Sequence, residues 1–547
     1  MMAAMSTCRF NRLHAPATTT QPLDCSPLGR SWPMKDRSKF GATLAPALIA
    51  AGCVLAGAPG FAHADPPANE PQVVTAQAPV PVEVPSPPPA PPNAAPAAPI
   101  PHETTLPESW FFRPPLALVV GEANKQFKLT IFGFAEADYI YDTTRSYSDA
   151  IGSSIVARND TYDGQNSRSQ FSMRNSRLGF AFESPTIGSI KPSAVLEADF
   201  FGHQDSPPTT SEGVYFDSPT LRVRHAYVKL QSPYLDFVMG QTYDLFGWQN
   251  YFYPCSVEFL GLPNQLFSRN AQLRLSHAFN AEGSVSVHVA ASAGRPAQRD
   301  SRVPDGSAGL RVSINQWKGI TTPGNVGTTA LPASIGVSGI VRQFNVNSFA
   351  PPPTRSVSSA TGWGLSVDAL IPLIPAASDV DRSNRLTVTG SFVKGTGIAD
   401  LITSGGNAKI PTLQNAAQST PWPTYDLNVD DVGLVTFDQN RNLHTINWLA
   451  FRAGLQYYLP PSGRLIFAAN YTRSQSDNLD KFYMRGGSNI ELLDTIAKTS
   501  TYLDANLFWD ATPSLRLGIS GQYTEVQYLD GSQPHNLRGM AQSVYVF

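Results

Sequence analysis

Ser543-Val544-Tyr545-Val546-Phe547 ends the chain, preceded by Leu537-Arg538-Gly539-Met540-Ala541-Gln542. Read in steps of two, Phe547, Tyr545, Ser543, Ala541, Gly539 and Leu537 share one side of an extended strand, and Val546, Gln542 and Arg538 share the other. One face suits lipid and the other suits water, which is what a transmembrane β-strand requires. A single such stretch decides little. It decides the fold here because the same alternation recurs from Phe127 onward.

Leu129, Ile131, Gly133, Ala135 and Ala137 oppose Lys128, Thr130, Glu136 and Asp138. Ala194, Leu196, Ala198 and Phe200 oppose Ser193, Glu197 and Asp199, and Leu221, Val223 and Tyr227 oppose Arg222 and Arg224. Further on, Leu273 and Leu275 oppose Gln272, Arg274 and Ser276, and Leu515, Leu517 and Ile519 oppose Arg516, Ser520 and Gln522. About 16 such segments can be marked, near 127–142, 170–184, 189–201, 220–231, 234–242, 270–279, 283–293, 307–317, 334–345, 361–372, 384–396, 446–459, 463–475, 499–511, 513–529 and 536–547. Their connections alternate between short (Ser232-Pro233, Pro460-Pro461-Ser462) and long (143–169, 243–269, 397–445), as short periplasmic turns and long outer loops would. The stretch 318–333 fits least well, being long for a turn.

The 547 residues are 42% apolar but only 15% charged, with 10% aromatics. After residue 64 no run of about 18 to 20 apolar residues appears, which disfavours a helical membrane protein. Unpaired backbone groups are not tolerated in lipid, so alternating strands of this kind must close on themselves. The expected fold is all-β, a transmembrane antiparallel β-barrel of about 16 strands over residues 116–547. Its place is the outer membrane of a Gram-negative bacterium, among membrane lipids.

Residues 1–64 read as an N-terminal extension plus signal peptide. Lys35, Arg37 and Lys39 precede the mostly apolar stretch 40–61, and Ala62-His63-Ala64 is an A-x-A cleavage site. Met34 marks a plausible start, and Ala50-Ala51-Gly52-Cys53 is a weaker, lipoprotein-like alternative. Cleavage after Ala64 removes Cys8, Cys25 and Cys53 and leaves Cys255 alone, so no internal disulfide or cysteine metal cluster is expected. It also removes six basic and two acidic residues, leaving 34 Lys and Arg against 40 Asp and Glu, a net charge near −6. That balance argues against nucleic acid as a partner. Residues 65–115 carry 17 prolines and read as an extended periplasmic linker, either inert or in contact with peptidoglycan.

A barrel of about 16 strands is too wide for side chains to fill and leaves an aqueous channel unless plugged. The register expected to face that lumen holds Arg177, Arg222, Arg224, Arg274, Arg311, Arg342, Arg385, Arg452 and Arg516. Its acids include Glu136, Asp138, Glu183, Glu197, Asp199, Asp368 and Asp504. Glu197 and Asp199 should stand beside Arg222 and Arg224 on the neighbouring strand. Such groups either brace the wall or form a transverse field with guanidinium forks for carboxylates. The segment 243–269 is too aromatic for a solvent loop, with Tyr243, Leu245, Phe246, Trp248, Tyr251, Phe252, Tyr253, Phe259 and Leu260. Folded into the barrel, it would constrict the lumen through Tyr243, Asp244, Trp248 and Tyr251; the alternative is a clasp on a neighbouring subunit.

An aromatic C-terminus, Phe547 with Tyr545, resembles the assembly signal read by the barrel-assembly machinery. More specific are Phe132-Gly133-Phe134, Asn175-Ser176-Arg177-Leu178-Gly179-Phe180, Glu197-Ala198-Asp199-Phe200-Phe201-Gly202, Leu221-Arg222-Val223-Arg224-His225-Ala226-Tyr227 and Gly240-Gln241-Thr242-Tyr243, in that order. This set, with the stretch from Ile335 to Phe344, resembles the DcaP-like outer-membrane porins over about 127–345, and the remainder resembles them in pattern. The resemblance implies a homotrimer of 16-stranded barrels admitting small anions, including dicarboxylates. It also implies an arginine-lined pore formed here by Arg177, Arg222, Arg224, Arg342 and Arg274. That family often carries an N-terminal coiled coil where this chain has prolines, so no periplasmic role carries over.

No cofactor and no catalytic residues are expected. His203, His277, His288, His444 and His535 lack a nucleophile or acid in a recognisable motif, and His225 falls on the register expected to face lipid or a second subunit. The functional expectation is a porin passing small hydrophilic solutes, with a structural tether to the periplasm as the alternative.

Overall fold

The alternation of the chain becomes a closed antiparallel barrel of 16 strands in the computed structural model. It describes residues 116–122, 125–153, 155–202, 219–258, 261–296, 301–324, 327–347, 357–376, 382–403, 433–437, 442–482 and 496–547. The expected signal peptide and the whole of the proline-rich linker lie outside these residues, as do Phe259, Leu260 and His203.

The strands are β1 (Phe127–Asp142), β2 (Arg168–Ser172 continued by Arg177–Glu183), β3 (Lys191–Asp199), β4 (Arg222–Gln231), β5 (Asp236–Tyr243), β6 (Arg269–Phe279), β7 (Val285–Gly294) and β8 (Asp305–Thr321). They continue as β9 (Thr329–Asn347), β10 (Val357–Ile374), β11 (Arg385–Thr396), β12 (Asn447–Leu459), β13 (Leu465–Gln475), β14 (Ala497–Asp510), β15 (Leu515–Tyr528) and β16 (His535–Val546). Each pairs with the next, and β1 pairs with β16 to close the ring. Where a long turn seemed to break the pattern, β8 and β9 run on to Thr321 and from Thr329, past a register shift between Ile314 and Lys318.

The exterior is apolar, as a lipid-facing surface must be. Leu178, Leu196, Leu273, Leu365, Leu503 and Leu537 point outward and are exposed. Phe279, Trp317, Phe467, Trp509 and Tyr545 cluster toward the short-turn ends of their strands, where an aromatic girdle meets the interface. This is the architecture of an integral outer-membrane protein.

One sequence expectation is overturned in β4. Its pairing with β3 shifts register between Glu197, opposite His225, and Ala198, opposite Val223. The extra residue of this bulge leaves Arg224 and His225 both buried while Val223 stays exposed. His225 therefore does not face lipid or a second subunit; it is within 3.1 Å of Thr242 Oγ1 and packs on the Tyr243 ring. Tyr227 moves with it and packs beside Phe132, Ala181 and Val195. Gly240 sits opposite Tyr227 at φ +132°, and a Cβ there would approach the Ala226 carbonyl to 2.3 Å.

The seam has two parts. The outer half of β1, Phe134 to Asp142, pairs with β16, and the strand Leu116–Val120 pairs with Phe127 to Ile131 below the C-terminus. Between them, Phe547 N–H donates to the Gly133 carbonyl at 3.1 Å and its own carbonyl accepts from Gly133 N–H at 3.3 Å. A Cβ at Gly133 would lie 3.0 Å from the Phe547 ring and 2.2 Å from the Arg177 carbonyl, so the close fit needs glycine. Deleting Phe547 removes both hydrogen bonds at the closing seam. The expected outcome is a lower yield of heat-modifiable barrel in isolated outer membranes; wild-type yield would refute it.

Candidate functional site: the lumen and its third loop

Inward positions of the strands carry the charges, and a barrel interior can hold them only if they are paired or hydrogen-bonded. On β3 and β4 they pair. Arg222 grips Asp199 with Nε and Nη2 at 3.0 and 2.7 Å. Arg224 donates to Glu197 at 2.7 Å, to Asp199 at 3.1 Å and to the Tyr243 hydroxyl at 2.9 Å. Arg224 is fully buried, whereas the Arg222 side chain remains 33% exposed. Arg177 lies over the Phe134 ring and donates to Asn175 at 3.1 Å. Arg342 grips Asp400 and reaches Asp305 at 2.9 Å. Arg274 donates to the Tyr243 carbonyl and to Gln272. The residues singled out in the sequence thus form two groups: Arg177, Glu197, Asp199, Arg222, Arg224 and Tyr243 around β2 to β5, and Arg342 on β9.

Residues 244–258 and 261–268 turn into the barrel. Leu245, Phe246, Trp248 and Phe252 are all buried. The wall accommodates them through inward glycines on three consecutive strands. A Cβ on Gly309 (β8) or Gly336 (β9) would come within 2.9 Å of the Trp248 indole, and one on Gly364 (β10) within 2.7 Å of the Phe246 ring. Arg311 caps this contact, 3.6 Å from the Tyr251 ring centroid and 5.0 Å from that of Trp248. Trp248 Nε1 donates to the Val337 carbonyl, Arg452 donates to the Phe252 carbonyl at 2.7 Å, and Ser268 donates to Asp244. Tyr243 itself is the last residue of β5, so it belongs to the wall.

The loop then crosses the lumen. Pro254 and Ser256 exchange backbone hydrogen bonds with Gly324, in the turn after β8. Ser256 donates to Asp504 at 2.9 Å, Val257 N–H donates to Asn506 at 3.0 Å, and Glu258 faces Arg538 at 3.4 Å. Asn264 meets Thr472 and Ser474, and Leu266, Phe246, Ile340, Leu401 and Val435 share one apolar cluster. A cavity of about 20 Å³ between the loop and Arg452 has room for about one water. The described loop therefore lies across the lumen and narrows it from wall to wall.

Sequence reading missed two features here. The glycine slots had a signal, since Gly309, Gly336 and Gly364 all fall on the inward register. Arg269 escapes the alternation because it is the first residue of β6, one position before the marked segment 270–279. Its guanidinium lies 5.8 Å from the Tyr243 ring centroid and 5.4 Å from that of Phe267. Among the described residues, no group of three His, Cys, Asp or Glu could hold a metal ion.

In fold, the chain is similar to the outer membrane channel DcaP of Acinetobacter baumannii, with a TM-score of 0.53 at 15% identity over 79% of this chain and 100% of that one. Looser matches include an anion-selective porin from Comamonas acidovorans (TM-score 0.43, 10% identity, 77% of this chain and 100% of that one). Another is OprB of Pseudomonas putida (TM-score 0.43, 11% identity, 76% and 94%). No protein-family model and no curated protein sequence matches this chain.

Two tests follow from the loop's anchors. Burial pushes the Cys255 thiol up to about 12, so it should resist alkylation while the loop is docked. Gly336→Leu fills the slot beneath Trp248 and Phe252, and Cys255 in that variant should label with maleimide at least roughly tenfold faster, as expected when a buried thiol gains access to solvent. Equal labelling rates would show that the slots do not hold the loop. The second test is pH. Burial pushes Glu258 up to about 7 from 4.5, with Arg538 opposing and Asp142 and Asp149 adding to the rise. A carboxyl whose pKa is raised by docking favours the docked loop fully below about 4.5, and that preference is lost as pH rises to about 7. Bilayer conductance should therefore increase between these limits and level off above them, and Glu258→Gln should flatten the response. An unchanged profile in Glu258→Gln would remove Glu258 from the account.

Proposed function

We propose that this protein is an outer-membrane porin that passes small hydrophilic solutes by diffusion and favours organic anions such as dicarboxylates. The observation that carries the reading is a closed 16-strand barrel whose inward face is polar and rich in arginine, narrowed by an inward loop. Rings of arginine in a pore favour anions, and a guanidinium fork matches a carboxylate. The negative total charge does not oppose this, because the local charge of a pore can differ in sign from the total. Arg222 is the proposed principal contact, with Arg224, closed off by Glu197, Asp199 and Tyr243, adding its field behind it, and Arg177, Arg342 and Arg274 lining the same path. Glu197 and Asp199 hold the arginine forks in place and keep a bound anion from becoming trapped.

The working assembly is a homotrimer in lipid, inserted by the barrel-assembly machinery through the signal at Tyr545 and Phe547. The proline-rich linker would emerge into the periplasm. Support for the trimer comes from the ordered motifs shared with the DcaP-like porins, and native mass measurement of detergent-extracted protein tests it.

The deciding experiment is single-channel recording in planar bilayers under a salt gradient. Wild-type protein should conduct with anion selectivity. Arg222→Ala with Arg224→Ala should lower both that selectivity and dicarboxylate flux into liposomes, because Glu197 and Asp199 are then left uncompensated in the wall. Wild-type selectivity and flux in a folded double variant would make these arginines braces of the wall and nothing more.

A further inference from the structure

Arginines of the inner face differ in what neutralises them. Arg174 has Asp149, Arg222 and Arg224 share Asp199 and Glu197, Arg342 has Asp305 and Asp400, Arg516 has Asp510, and Arg538 has Asp142. Arg269 has no such partner among the described residues. Its contacts are the faces of Tyr243 and Phe267, and its Nη1 is buried without a hydrogen bond. It opens β6 directly opposite Tyr243, the residue whose hydroxyl accepts from Arg224.

The local balance is therefore uneven. Three guanidinium groups, Arg222, Arg224 and Arg269, lie in one another's field with two carboxylates, Glu197 and Asp199, between them. Arg224 is closed off, and both carboxylates are at most 1% exposed. The part of the cluster that solvent reaches is cationic: the partly exposed Arg222 and the partly exposed Arg269. Both sit at the long-loop end of the barrel, Arg222 at the start of β4 and Arg269 at the start of β6.

We propose that Arg269 is the specificity-determining cation at the outer mouth, capturing small carboxylates and other small anions ahead of the narrowed lumen. The inference rests on the porin reading and adds to it a partly exposed arginine at the outer mouth that is bonded to no carboxylate; Arg311, held likewise by the Trp248 and Tyr251 rings, is buried. The two aromatic rings hold the guanidinium by its faces, and with Nη1 buried it is the solvent-exposed part of the N–H edge that is left for an anion. Arg222, already bound bidentately to Asp199, supplies field more than hydrogen bonds. An arginine bonded to no carboxylate, with Asp199 acting on it only at longer range, repels cations and attracts anions more than a fully paired arginine does.

The experiment compares the full mature protein, Arg269→Gln and Arg269→Lys in planar bilayers with a potassium chloride gradient. The reversal potential gives the chloride-to-potassium permeability ratio, and succinate added on the long-loop side gives block. Arg269→Gln should lower the permeability ratio by roughly twofold or more and abolish side-specific block. Arg269→Lys should keep the ratio but weaken the block, since a point charge replaces a fork. An unchanged ratio and unchanged block in Arg269→Gln overturn the proposal. If Arg269→Gln does not assemble, Arg269→Lys decides: block at wild-type strength overturns it. Absence of any conductance in the wild type would instead overturn the porin reading itself, so the two failures are distinguishable.

Discussion

Everything in this structure depends on one demand: a backbone in hydrocarbon must satisfy all of its own hydrogen bonds. A sheet with an edge cannot do so, and β16 has only β1 left to pair with. Closure falls on a short seam, where Phe547 and Gly133 exchange two hydrogen bonds and Leu116–Val120 covers the part of β1 that β16 does not reach. Once the ring is closed, alternation does the rest. Each strand sends every second side chain to lipid and the others inward, so a chain that is apolar outside must find a use for its polar residues inside.

That interior is neither a packed core nor an open tube. Charged residues there survive by pairing, and removing one partner of a buried pair leaves an uncompensated charge at a cost of about 3–5 kcal/mol. Arg224 shows the logic, with two carboxylates and a tyrosine hydroxyl satisfying one guanidinium. Residues 244–258 and 261–268 supply what the strands cannot, an apolar surface inside the ring. The wall receives it where glycines on β8, β9 and β10 leave the backbone bare. Loop and wall are matched in shape on one side of the lumen and in hydrogen bonding on the other.

Much of this was legible in the sequence, because period two survives in a strand whatever surrounds it. The barrel, its strand number, the short turns and the neighbourhood of Glu197, Asp199, Arg222 and Arg224 follow from it, while the inward loop is legible only as one of two readings of an aromatic segment, the other being a clasp on a neighbouring subunit. What failed were features that break the period. The bulge at Arg224 and His225 adds one residue and reverses the face of everything on one side of it, so His225 and Tyr227 were placed outside. Arg269 stands at a strand end, where alternation has not yet begun and aromatic neighbours suggest loop. The glycine slots fall on the inward register but say little by themselves, for another reason. An inward glycine has no side chain to count, and its meaning appears only when Trp248 and Phe246 are seen against it.

The two kinds of anchor on the loop differ in what disturbs them. Aromatic rings set in glycine slots are held by shape and by exclusion of water, which respond little to pH or salt. The contact of Glu258 with Arg538 is electrostatic, 3.4 Å long and set among Asp142, Asp149, Glu136 and Asp138, so it carries the local surplus of acid. Conditions that change ionisation therefore act on the tip of the loop, around residues 255–258, before they act on its base at Phe246 and Trp248. The tip is also held by the hydrogen bonds of Pro254 and Ser256 with Gly324, of Ser256 with Asp504 and of Val257 with Asn506, and by apolar packing of Cys255 and Val257, so ionisation of Glu258 weakens one tie among several. That titratable tie faces the side of the lumen lined by β1, β14 and β16, across from the arginines of β6 and β8, so pH acts on the acidic side of the pore and leaves the basic side as it is.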